Sequence, residues 1–206
     1  NDRYGAINLV APEAAATAEI LYDLLNLFDV NWDAEIATAI YTGLLTDTGG
    51  FRYSNTSPKV MSIASDLLSY GVNGPEIAKT LLEEMTLPQM KVLVQALNTL
   101  SLSDDGKIAW VNVTPEHMEI CGAVSEDLEG IVNYPRNIQG VEVGILFKSL
   151  KSGVVKVSLR SAGKVDVAAL AQVFGGGGHV RAAGCSIEGE LHDIIPRVVE
   201  QVKLKL

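Results

Sequence analysis

Gly175-Gly176-Gly177-Gly178-His179-Val180-Arg181-Ala182-Ala183-Gly184 is the stretch from which the organisation of this chain is read outward. Four glycines in a row lack Cβ atoms, so their backbone can take positive φ, approach a ligand closely and turn successive N–H groups into an anion-binding nest. His179 and Arg181 add directional donors, and the planar fork of an arginine matches a phosphate group bidentately. The run points to a phosphate-bearing ligand, although a surface loop or a tight strand connection would use the same letters. It is not a Walker loop, because no Gly-Lys-Ser/Thr follows. The G-x-G-x-x-G pattern of dinucleotide sites is met only trivially and with the wrong continuation.

The flanks give this run a context. Asp166 can cap a helix that runs through Phe174 into the glycines, Ala182–Glu188 alternates like a strand, and Leu191–Lys203 reads as a closing helix. Upstream, Val141–Leu150 and Val154–Ala162 read as a strand pair around Lys151-Ser152-Gly153, Ile108–Val113 alternates as a strand, and Thr114-Pro115 starts a short helix. The front is helical. Pro12 opens a helix that continues to about Phe28, Asp33 caps a second that ends at Asp47-Thr48-Gly49-Gly50, and helices follow near 57–70, 74–84 and 88–101. The polar segment Ser101–Lys107 breaks the pattern, which places a domain boundary between about 85 and 105.

Asp47 stands where a buried helix stops at two glycines, so a rigid element can aim a carboxylate into a cleft while the chain turns away; an ordinary helix end would look the same. Arg160 ends its strand, where it could hold a ligand or discourage edge pairing. Arg52 and Tyr53 follow Asp47 closely enough to face the same cleft, with packing as the plainer role for Tyr53.

With 206 residues, 48% hydrophobic and 20% charged, the chain has apolar material for one or two real cores. The composition is that of a soluble, cytoplasmic protein. Cys121 and Cys185 are too few and too isolated for a disulfide framework or a zinc knuckle. No apolar stretch has the length of a membrane span. A net charge of −9 argues against long duplex nucleic acid as a partner. It leaves room for a local basic pocket, since Arg136, Lys148, Lys156, Arg160, Lys164 and Arg181 all lie in the C-terminal half. Lys148, Lys156 and Lys164 read better as an ordinary solvated face.

The glycine-histidine decapeptide resembles the signature of the DHHA1 domain, the substrate-binding domain of the DHH phosphoesterases. Gly43-Leu44-Leu45-Thr46-Asp47-Thr48-Gly49-Gly50-Phe51 is similar to that family's fourth metal-binding motif. Val157-Ser158-Leu159-Arg160-Ser161 resembles its substrate-contacting strand end, with Gly140–Val143 similar to the segment before it. The resemblance spans the whole chain, and the most similar subgroup is the bacterial nanoRNase and 3′-phosphoadenosine 5′-phosphate phosphatase type. It implies an α/β fold: the helical C-terminal part of a DHH domain (1–87), a linker helix (88–104) and a DHHA1 domain (105–206) with a mixed sheet flanked by helices.

The family's first three motifs, including the Asp-His-His triplet, have no counterpart, since the three histidines are His117, His179 and His192. The chain is therefore expected to be a fragment that starts just after that triplet and is inactive alone. For the intact protein the resemblance implies hydrolysis of short oligoribonucleotides or a nucleotide bisphosphate by two Mn²⁺ or Mg²⁺ ions, with Asp47 as the catalytic metal ligand retained here. Gly175, Gly176, Gly177, Gly178 and His179 would hold one phosphate. Arg160, Ser161 and Arg181 would hold another phosphate or a ribose. The resemblance also implies a homodimer, for which the apolar helix near Ala14–Phe28 offers an interface. Two other outcomes stay open: an RNA- or nucleotide-binding DHHA1 module without hydrolysis, as in alanyl-tRNA synthetases, and a hydrolase of cyclic dinucleotides or polyphosphate.

Overall fold

Asp33, Ser57 and Asn73 each stand one residue before a helix, and each side chain accepts a hydrogen bond from the backbone N–H three residues on, at 2.8, 3.2 and 3.3 Å. These caps set the starts of α2 (Ala34–Asp47), α3 (Pro58–Ser69) and α4 (Gly74–Ala78), the last extended by a π turn over Lys79–Glu83. In the computed structural model, which describes residues 5–28 and 30–206, the chain divides into two compact units. One ends at Glu84 and the other runs Met85–Leu206.

The front unit is helical. α1 (Thr17–Leu27) begins five residues later than Pro12 suggests. Glu19, buried in the first turn, takes the Ala15 N–H at 2.8 Å and pairs with Lys59 at 3.1 Å, which fixes the start of the helix and leaves Pro12 in a turn. The core is the apolar face of α2, Ala37, Ile40, Tyr41, Leu44 and Leu45, packed with Val60, Ile63, Ala64 and Leu67 of α3.

The rear unit is a six-stranded mixed sheet flanked by helices, so the chain is α/β. In chain order it contains α5 (Leu87–Asn98), β1 (Ser101–Leu102), β2 (Ile108–Val113), α6 (Pro115–Cys121), α7 (Asn133–Arg136), β3 (Val143–Ser149), β4 (Val154–Ser161), α8 (Val167–Val173), β5 (Gly177–His179), β6 (Ala182–Glu188) and α9 (Leu191–Lys203). The strand order is β1-β2-β3-β4-β6-β5, antiparallel except for the parallel β2–β3 pair. α5 ends at Asn98 rather than 101: the Thr99 hydroxyl bonds the Ala96 carbonyl at 2.7 Å and accepts the Asn112 N–H at 2.8 Å, which turns the chain into β1.

The two faces of the sheet are covered unequally. One packs Val143, Ile145, Phe147, Val157 and Leu159 against α8 and α9. On the other, Val111, Val113 and Leu146 pack against α5, α6 and the segment leading to α7. That cover stops at β3, and the same face of β4, β6 and β5 stays open: Lys156, Ser186, Gly177 and His179 are exposed, while Ser158, Arg160, Ala182 and Gly184 are half-buried.

Candidate phosphate-binding site

Side chains alternate across a strand, so residues paired in register share a face. Arg160 pairs with Ala182, and Ala182 with His179, so these three form one cross-strand row on the open face. Arg160 and His179 stand two strand spacings apart, roughly 10 Å between backbones. The next row is Ser158, Gly184 and Gly177. Arg160, whose Nη1 donates to the Leu159 carbonyl at 3.0 Å, and His179 therefore flank a floor made of alanine, glycine and one serine. The arrangement is a shallow platform on which a planar or anionic group can lie against backbone.

The end of β4 is held by Glu142, a buried carboxylate just before β3. Its Oε1 accepts the Ser161 hydroxyl at 3.0 Å and the N–H groups of Gly163, Lys164 and Val165 at 3.0, 2.6 and 3.1 Å. Burial alone would raise its pKa. The Lys164 and Val165 amides, the Ser161 hydroxyl and the Gly163 amide outweigh that and hold the carboxyl below its ordinary value. Ser161, expected from the resemblance to contact substrate, is 6% exposed, with its hydroxyl given to Glu142 and accepting the Gly163 N–H at 2.9 Å.

The same loop seats Arg181. Its carbonyl accepts the Ser161 N–H at 3.0 Å, and its guanidinium lies over Gly163, where a Cβ would come within 3.4 Å of Nη2. Val167 N–H donates to the Val180 carbonyl at 2.9 Å, so the two-residue turn between β5 and β6 is tied to both β4 and α8. Arg160, Ser161, His179 and Arg181 are thus brought to one end of the sheet. Glu142 was not among the residues singled out from sequence. Its signal was a charge inside the apolar run Val141-Glu142-Val143.

The four glycines do not form a single concave loop. Gly175 (φ 73°) and Gly176 close α8: their N–H groups donate to the Gln172 and Ala171 carbonyls at 3.0 and 2.9 Å, the Schellman pattern. Gly176 lies against β6, where a Cβ would come within 2.7 Å of the Cys185 Cα. Gly177 and Gly178 continue as β5, an edge strand that reading by turn residues alone left as loop.

In the front unit, α2 ends in the same pattern. Gly49 and Gly50 donate to the Thr46 and Leu45 carbonyls at 3.0 and 2.7 Å. Buried Thr48 bonds the Leu44 carbonyl at 2.6 Å and accepts the Phe51 N–H at 3.1 Å, holding Phe51 at φ 61°. Asp47 is the last helical residue, exposed, with its carbonyl fixed by Asn55 Nδ2 at 3.1 Å. Among the described residues no ion pair includes it. A carboxylate at the negative end of a helix is disfavoured by about 0.3–1 kcal/mol unless a cation offsets it. Arg52 Nε bonds the Gly49 carbonyl at 2.6 Å and the Tyr53 ring covers Gly49, so both pack on the glycine turn.

No group of three or more His, Cys, Asp or Glu side chains among the described residues is placed to hold a metal ion. Asp47 alone is not a metal centre. The rear unit also has a cavity of about 600 Å³ lined by Met118, Glu119, Ser125, Glu126, Lys148 and Lys151 among others. In it Lys151 pairs with Glu119 at 3.8 Å and Lys148 Nζ donates to the Ser125 hydroxyl at 2.7 Å, while burial and the neighbouring Lys156 charge hold the Lys148 ammonium below its ordinary pKa. Arg160 and His179 lie on the open sheet face instead.

The chain matches the DHHA1 domain over residues 118–204. It is 39% identical over its whole length to a bifunctional oligoribonuclease and PAP phosphatase NrnA of Thermus thermophilus, covering 62% of that protein. It is 30% identical over 90% of its length to the protein so named in Bacillus subtilis, covering 59%. The crystal structure of an exopolyphosphatase-related protein from Bacteroides fragilis superposes with a TM-score of 0.90 at 29% identity, over 97% of this chain and 59% of that one. The chain thus spans about three-fifths of the length of these relatives. No helix among the described residues is long and apolar enough to cross a membrane.

Proposed function

We propose that the open face of the rear sheet binds the phosphates of a short oligoribonucleotide or of a nucleoside 3′,5′-bisphosphate, and that the phosphate ester is hydrolysed where the metal-ligand set that Asp47 begins is completed. The observation that carries this reading is the cross-strand row Arg160–Ala182–His179 above the floor of Ser158, Gly184 and Gly177. Arg160 and His179 hold phosphate oxygens, and the glycine floor lets the ligand approach the backbone. Arg181 holds a second phosphate or a ribose hydroxyl from the hairpin turn. Ser161 acts through Glu142, by fixing the strand end from which Arg160 projects. The activities named for the two NrnA relatives support this substrate class. Asp47 is assigned as one ligand of divalent ions, Mn²⁺ or Mg²⁺. When bound with a full ligand set, such ions supply a hydroxide at neutral pH and offset charge on the phosphoryl oxygens.

Calorimetric titration of the chain with adenosine 3′,5′-bisphosphate, without metal, tests the reading. Arg160→Ala and His179→Ala should each weaken binding about tenfold or more, the loss of a charge-assisted hydrogen bond. Unchanged affinity in both variants would reject the platform as the site.

A further inference from the structure

Gly144 of β3 is the residue opposite Arg160. A side chain there would collide with α7: a Cβ would come within 2.5 Å of the Arg136 Cβ and 2.7 Å of its Cα. Arg136 is therefore seated on the same sheet face as Arg160, one strand away, at the closed edge of the platform. It is half-buried, its Nε is buried without a hydrogen-bond partner, and no ion pair among the described residues includes it. A buried guanidinium N–H with no acceptor is rare and costs stability, as does placing a second arginine beside the first. Packing alone would be served better by an apolar side chain at this position.

We infer that Arg136 is a further phosphate-binding residue, which together with Arg160 clamps a terminal phosphomonoester of the ligand. A terminal phosphate carries a second negative charge near neutral pH that a bridging diester lacks, so two adjacent guanidinium groups favour a phosphorylated end over an internal linkage. This rests on the platform being the nucleotide site. It adds a residue and a preference that the row of Arg160 and His179 does not itself specify.

The test compares adenosine 3′,5′-bisphosphate with the unphosphorylated dinucleotide ApA by calorimetric titration of the chain. The wild type should bind the bisphosphate at least about tenfold more tightly, the value of one charge-assisted contact. Arg136→Gln should remove most of that preference and change ApA affinity less than about threefold. Arg136→Lys, which keeps the charge and the stem but not the fork, should lie between and serves if Arg136→Gln does not fold. In phosphate-free buffer Arg136→Gln should melt no lower than the wild type. An intact preference in both variants would overturn the clamp while leaving the platform in place. A wild type that binds neither probe would overturn the platform and the clamp together.

Discussion

Glu142→Gln changes one buried oxygen and should loosen the end of the sheet on which the proposed site stands. Glu142 Oε1 accepts from four donors, those of Ser161, Gly163, Lys164 and Val165. With the amide oxygen in the Oε1 position the four donors keep an acceptor but lose the negative charge, so charge-assisted hydrogen bonds become neutral ones of about half the strength. That difference is about 1 kcal/mol per bond; Gly163 and Lys164 are exposed enough for water to replace part of the loss, which puts the total for the four at about 2–4 kcal/mol. For a unit of this size that lowers the melting temperature by about 10 °C. Trp110 lies in the rear unit and Trp32 in the front, so fluorescence-monitored melting in a Trp32→Phe background isolates the transition. The acid dependence gives a second readout. Because the folded-state pKa lies below the ordinary value of 4.5, the stabilisation is complete above that pH and is lost as pH falls toward the lowered value. Glu142→Gln should lack that part of the acid dependence. A variant that melts within about 2 °C of the wild type, with the same acid profile, would refute the role of Glu142.

The glycines of the run should separate by function. Gly176→Ala, which drives a Cβ into β6, should destabilise the rear unit by about 1–3 kcal/mol. Gly177→Ala has no neighbour within 4 Å and no positive φ, so it should fold as the wild type does yet weaken bisphosphate binding by putting a methyl group on the platform floor; chemical denaturation and calorimetry read the two effects. Thr48→Val removes a buried donor and the acceptor for Phe51, and should destabilise the front unit by about 2–4 kcal/mol by the same denaturation assay. With Mn²⁺ added, the 206-residue chain alone should not turn over adenosine 3′,5′-bisphosphate in a phosphate-release assay, because one carboxylate does not hold a two-metal centre; sustained turnover lost on Asp47→Asn would contradict that.

Signals carried by single residues at element ends were legible in the letters. The caps at Asp33, Ser57 and Asn73, and the strand Ala182–Glu188, stand where periodicity and capping chemistry place them. What could not be read were choices made by distant contacts. β5 forms from glycines because β6 offers a ladder, which no local propensity reports. The start of α1 depends on a buried Glu19 paired with Lys59, forty residues on. Both glycine pairs, 49–50 and 175–176, first end a helix. Reading either as a ligand loop from composition misses that backbone role, while the neighbouring Asp47 and His179 are exposed. The row that brings Arg160 beside His179 depends on strand order β4-β6-β5, a non-sequential pairing invisible in the chain itself.

The most direct test of the platform is an amide and imidazole chemical-shift titration of the chain with adenosine 3′,5′-bisphosphate. The reading expects the perturbations to cluster at Ser158, Arg160, Gly177, His179 and Gly184, on one face of β4, β6 and β5. Shifts confined to the cavity around Met118, Ser125 and Lys148, with the β5–β6 hairpin unmoved, would contradict it.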